Sequence, residues 1–150
     1  MKRIDNILEK LNDLLILNEE IENAYTKAIN MLTDSFYKQF SNERSLERSG
    51  YVKSLKNELH KLEKKAENPV ALKRRDHVVR LNFRNFLKIE DENKFLRKVY
   101  DIELLSVQKY DELLTQMNMP LSLCKLLLKH RDNIQARLFE MERDNEVIIR

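Results

Sequence analysis

Three glutamates and one histidine, one on each of four amphipathic segments, do not match the face of the helix they occupy. Glu22 lies seven residues from Leu15 and from Ile29 and three before Tyr25, and Glu47 lies seven after Phe40 and four before Tyr51. Glu103 is four after Val99 and seven before Tyr110, and His130 is three after Leu127 and four before Ile134. Residues at these spacings share one face of a helix, so all four side chains are expected at the core or its margin. At 1.5 Å per residue, Glu22 falls about 16 Å below the first helix turn, Glu47 about 20 Å and Glu103 about 18 Å; His130 falls about 25 Å up from Pro120. Carboxylates and imidazoles that meet in this way hold pairs of iron or manganese ions inside helix bundles. The chemistry such a centre supplies is oxygen or peroxide activation, or metal storage.

The usual ligand pattern is incomplete. A carboxylate di-metal bundle draws a Glu-x-x-His pair from each of two helices. Here Glu47-Arg48-Ser49-Gly50 has Gly at the His position, and Leu127-Leu128-Lys129-His130 has Leu at the Glu position. Glu22, Glu47, Glu103 and His130 are therefore candidate metal ligands that fall short of a full set. The competing expectation needs no cofactor: the same groups join Tyr25, Tyr51, Tyr110 and Arg44 in a buried hydrogen-bonded cluster that fixes the register of the bundle.

The elements that carry these residues follow from apolar spacing. Ile7, Leu8, Leu11, Leu14, Leu15, Ile21, Tyr25, Ala28 and Leu32 predict a first helix over 5–32, with Asp5 as its N-cap. Thr33-Asp34-Ser35 supplies cap chemistry for a second helix over 34–66, carrying Phe36, Phe40, Tyr51, Leu55, Leu59 and Leu62 on one stripe. Gly50, the sole glycine, falls inside it, which predicts a close helix contact or a bend. Glu67-Asn68-Pro69 breaks the pattern, and a shorter crossover helix is predicted over 71–88. A third helix over 91–117 opens on the acidic turn Glu90-Asp91-Glu92-Asn93, and Asn118-Met119-Pro120 leads into a fourth over 120–145. Two antiparallel pairs with a helical crossover between helices two and three describe a ferritin-like four-helix bundle in a single domain, residues 1–150.

Composition agrees. The 150 residues include one Gly and two Pro, too few for the turns that sheets need, while 35% charged against 42% hydrophobic suits amphipathic helices. No apolar run reaches the roughly 18 residues of a membrane span, and MKRIDNILEKLN lacks the apolar run of a secretory signal. With a single cysteine, Cys124, which has no internal partner for a disulfide, these features lead to an expected cytoplasmic location. Net charge is +3, unevenly placed, and residues 53–88 are strongly basic, densest at Lys73-Arg74-Arg75 with Arg80 and Arg84. Such a patch attracts phosphates, but a solvated helix face accounts for it as well, and nucleic acid is disfavoured as a partner. His60 and His77 read as surface residues. No phosphate loop, nucleophile elbow or zinc-finger spacing occurs.

Four segments, LNDLLILNEEIENAYTKAI, FSNERSLERSGYVKSLKNEL, IELLSVQKYDELL and MPLSLCKLLLKHRDNIQARL, taken in this order, resemble the bacterial ferritin-like four-helix-bundle family classed as a domain of unknown function. The resemblance covers roughly residues 10–140 and rests on diffuse helical similarity. It implies a four-helix bundle in a bacterial cytoplasm with no established activity, linked to stress response or metal binding. Glu22, Glu47-Arg48, Glu58, Glu103, Tyr110 and the LLLKHR stretch match family positions. His130 stands where Gln is common, and the connection near residue 70 lacks the usual Gly-rich start. The expected function is non-catalytic, acting through a homo-oligomer or protein partner. The alternative is a di-iron or di-manganese oxidative or storage protein using the four candidate ligands.

Overall fold

In α1 the inward positions Leu11, Leu14, Asn18, Ile21, Tyr25, Ala28 and Leu32 alternate by three and four residues, and none is more than 3% exposed. That spacing lays one continuous stripe along a helix. The computed structural model describes residues 2–65 and 92–144. They form α1 (Lys2–Met31), α2 (Ser35–Glu63), a short 3-10 turn (Glu92–Lys94), α3 (Phe95–Leu114) and α4 (Leu121–Arg143), with no strand among the described residues. The expected crossover over 71–88, the basic patch and His77 lie outside them.

Local chemistry sets the breaks. Asp34 is extended at the N-cap of α2, and its Oδ1 accepts from the amides of Phe36 and Tyr37 at 2.8 and 3.1 Å, filling donors the first helical turn leaves open. Glu92 adds a second clamp on the same turn: its Oε1 accepts from Thr33 N and Oγ1 at 2.5 and 2.8 Å, and its Oε2 from Asp34 N at 3.2 Å. Between α3 and α4, Asn118 takes a left-handed φ of 63°, which Asn tolerates better than most residues, and Pro120 then caps α4. Helix one starts before Asp5, which becomes a first-turn acid. Helix three starts four residues later than predicted and ends three earlier, leaving Met117 75% exposed in the turn. Phe36, placed by spacing on the inner stripe of α2, is 55% exposed.

The helices pack α1 on α2, α3 on α4, α1 on α3 and α2 on α4. Tyr25 meets Glu103 and Asn18 meets Tyr110, so α1 and α3 are antiparallel. Tyr51 meets His130, Glu47 meets Arg137 and Glu58 meets Ser122, so α2 and α4 are antiparallel too. Glu92 at the head of α3 reaches the α1–α2 turn, while Glu58 near the foot of α2 reaches the start of α4. Successive helices α2 and α3 are therefore parallel. The core runs from Ile7, Leu11 and Leu55 through Val99, Leu127 and Ile134 to Leu138 and Met141. Each such side chain contributes about 1.5–3 kcal/mol when fully buried. Gly50 has nothing within 4 Å of where a Cβ would stand, so it marks no close helix contact.

Candidate functional site

Halfway along the bundle the apolar core gives way to a chain of polar groups drawn from all four helices. Arg48 of α2 is 0% exposed and sits at its centre. Its Nη2 pairs with Glu103 Oε2 and donates to Ser106 Oγ at 3.0 Å, while its Nη1 donates to Asn18 Oδ1 at 2.7 Å. The second oxygen of Glu103 accepts from the Tyr25 hydroxyl at 2.7 Å. Asn18 Nδ2 donates to its own helix at Leu14 O, 2.9 Å, and to the Tyr110 hydroxyl at 3.3 Å. Tyr110 in turn lies 2.9 Å from His130 Nδ1, and the imidazole stacks on Tyr51 with 3.9 Å between ring centroids.

Why the chain turns polar here is visible in the helical phase. Asn18 falls between Leu14 and Ile21, Arg48 three before Tyr51 and seven before Leu55, and Ser106 between Glu103 and Tyr110. Each sits where the stripe calls for an apolar side chain. Buried polar groups at such positions are tolerated only when their hydrogen-bonding capacity is met, and here most of it is.

Protonation states follow from burial and neighbours. Burial pushes the Tyr25 hydroxyl well above its ordinary pKa, and the Glu103 charge adds to this. Burial raises Tyr110 in the same way, against the opposing effect of Arg48. Tyr51 is pushed up to about 12, by burial first and then by Glu47. Burial works against the Arg48 charge, but Glu103 outweighs it and the guanidinium is held more firmly protonated than usual. His130 is pushed down to about 4, by burial first and then by Arg48 and Lys129. At neutral pH the imidazole is thus uncharged. Because Tyr110's oxygen already accepts from Asn18, its proton goes to His130 Nδ1, which assigns the remaining ring proton to Nε2.

The four candidate ligands end up in different places. Glu103 and His130 belong to the one network, joined through Arg48, Asn18 and Tyr110. Glu47 lies at the α2–α4 edge, its Oε2 3.3 Å from Arg137. Glu22 is half-buried and outside the hydrogen-bonded set. Among the described residues no group of three or more His, Cys, Asp or Glu is placed to hold a metal ion. The donors also do not fit one: both Glu103 oxygens and His130 Nδ1 are engaged, and a guanidinium lies against the carboxylate. Arg44, expected in the cluster, is buried without a hydrogen bond to it; Arg48 fills that role. Testing Asn, Arg and Ser for inward phase, as well as Glu and His, would have picked out Asn18, Arg48 and Ser106.

Two clefts open elsewhere. A cleft of about 110 Å³ on the α1–α3 edge is lined by Lys10, Asp13, Leu14, Leu17, Lys109, Glu112 and Leu113, and one of about 30 Å³ lies near Glu58, Lys61 and Ser122. Fold and site together define an all-α protein of four helices closed around a buried arginine–glutamate pair. Compared with known proteins, the chain matches no family model, no curated protein and no solved structure.

Proposed function

We propose that this chain is a ferritin-like helical bundle without catalysis of its own, in which the Arg48 guanidinium takes the place a metal cation would have beside Glu103. It works through its surface, on a second copy of itself or on another protein, in the stress-related setting that the family resemblance implies. The observation that carries this reading is the Arg48–Glu103 pair, buried at 0% and 1% side-chain exposure. A side-chain cation fixed there repels a metal ion and neutralises the one carboxylate at the centre of the bundle. The parallel α2 and α3 flanked by antiparallel neighbours support a ferritin-like connection. Large apolar side chains left outside, Leu46 at 64%, Phe139 at 59% and Leu121 at 69% exposure, support contacts with other chains.

Metal content, measured by elemental mass spectrometry after anaerobic loading with Fe(II) or Mn(II), tests the reading. The expected result is no stoichiometric metal, together with a concentration-dependent mass in light scattering or capture of a defined partner. Two metals per chain, lost on Glu103→Ala, would overturn it in favour of a carboxylate-bridged oxidative or storage protein.

A further inference from the structure

Two arginines of α2 enter the bundle interior, and only one of them meets a carboxylate. Arg48 has Glu103. Arg44, one turn earlier, is 7% exposed, and its Nε is buried with no hydrogen-bond partner among the described residues. The neighbour it does have is the face of the Phe40 ring, 4.5 Å from the centroid. It acts electrostatically on the Tyr25 hydroxyl, as Arg48 does, which places both guanidiniums around the same part of the core. Glu103 balances one of them, and Glu47 is paired with Arg137. The interior is left with one positive charge in excess. Unpaired charges are among the costliest groups a core can contain, and in folded proteins they are matched by an anion.

The neighbours of Arg44 on α2 describe what the anion would need to be. Ser41, three residues before it, is 0% exposed and its hydroxyl has no partner among the described residues. Arg48 Nε, four residues after it, is a further buried donor without an acceptor. Glu47 Oε1, three residues after it, is a buried acceptor without a donor. Positions three and four apart on a helix have Cβ atoms about 5–6 Å apart, so these groups border one small space. An oxyanion accepts from the guanidiniums and the hydroxyl. Only an oxyanion that keeps a proton can also donate to Glu47. Hydrogen phosphate meets both conditions at neutral pH, and sulfate meets only the first.

We propose that this stripe of α2 binds a small protonated oxyanion of the phosphate class, held by Arg44 and Ser41 with Glu47 Oε1 accepting its proton. The test is titration calorimetry and thermal unfolding of the full chain with inorganic phosphate, at ionic strength held constant with chloride, and with sulfate in a parallel series. Expected are one phosphate per chain and a midpoint that rises and saturates with phosphate, with a smaller rise for sulfate. Arg44→Met should abolish both signals, Ser41→Ala should weaken binding by about tenfold, a little over the worth of one hydrogen bond, and Arg97→Gln on the exposed face of α3 should change neither. The Ser41 variant keeps the test open if the Arg44 variant fails to fold. No heat and no midpoint rise beyond chloride, equal effects in the Arg44 or Ser41 variant, or equal effects of sulfate would overturn the assignment.

Discussion

Glu103 and Arg48 are joined across the centre of the bundle, the carboxylate from α3 and the guanidinium from α2, with neither side chain more than 1% exposed. Removing two opposite charges from water costs several kcal/mol each, and their attraction offsets this only when the remaining donors and acceptors are also filled. Asn18, Ser106 and Tyr25 fill them here. Arg48→Met alone, or Glu103→Leu alone, should therefore lower stability by ~3–5 kcal/mol, because each leaves an uncompensated buried charge. The double variant should lose far less than the sum, giving a coupling of roughly 2 kcal/mol or more in urea unfolding. Strict additivity would show that the two groups do not stabilise one another.

His130 makes the protein sensitive to mild acid. Its pKa is about 4 in the fold against 6.5 for an ordinary histidine. Between those values the unfolded chain binds a proton that the folded chain does not, so stability rises with pH across the window and falls as pH drops from about 6.5 to about 4. The loss is on the order of 3 kcal/mol over that range. His130→Gln should flatten this part of the stability profile measured by denaturant unfolding, relative to the parent. A parallel slope in both proteins would refute the assignment.

Tyr110→Phe tests the hydroxyl that links α1 to α4. It accepts from Asn18 at 3.3 Å and lies 2.9 Å from His130 Nδ1, so its removal strands a buried imidazole nitrogen. The expected destabilisation is ~1–3 kcal/mol. Nitrogen NMR of the imidazole should report the proton on Nε2 in the parent and a weaker preference in the variant.

Glu92→Ala should loosen the end of the bundle. The Thr33 amide and hydroxyl hold the Glu92 carboxyl below the usual carboxylate range, so its contribution is present at neutral pH and is lost as pH falls through that lowered value. The melting midpoint should drop in the variant at pH 7, and the gap between variant and parent should close in acid. Asp34→Ala, which removes the α2 cap, should cost about 1 kcal/mol and show no such convergence until Asp34 itself is protonated.

The helices were legible because their signals are local. Apolar spacing and the Thr33-Asp34-Ser35 and Asn118-Met119-Pro120 breaks put four helices within a few residues of where they lie. Boundaries slipped where a tertiary contact decided: Glu92 was expected to begin helix three but caps the turn between α1 and α2 instead, and α3 begins at Phe95. A single sequence does not reveal that an acid near residue 92 and a threonine near residue 33 will meet. Inward phase found Glu103 and His130 because both are polar on strongly apolar stripes. It overreached at Glu22 and Glu47, which lie at the edge of theirs, where a carboxylate reaches water or a surface arginine. The choice between Arg44 and Arg48 was beyond it, since both lie on the inner face and only the position of α3 decides which one meets Glu103.

The polar chain also bears on how the molecule assembles in time. Its contacts join residues 30, 55, 78 and 92 apart, whereas each helix and both short turns close over neighbouring residues. Closing long loops is slow and forming helical hairpins is fast, so the two hairpins should form first and the buried network should be satisfied only as they dock. Substitutions at Asn18, Arg48 or Glu103 should then act mainly on the unfolding arm of a chevron plot, with φ-values near zero, while changes at Asp34 act on the folding arm. The network would hold the bundle shut once formed without guiding it there.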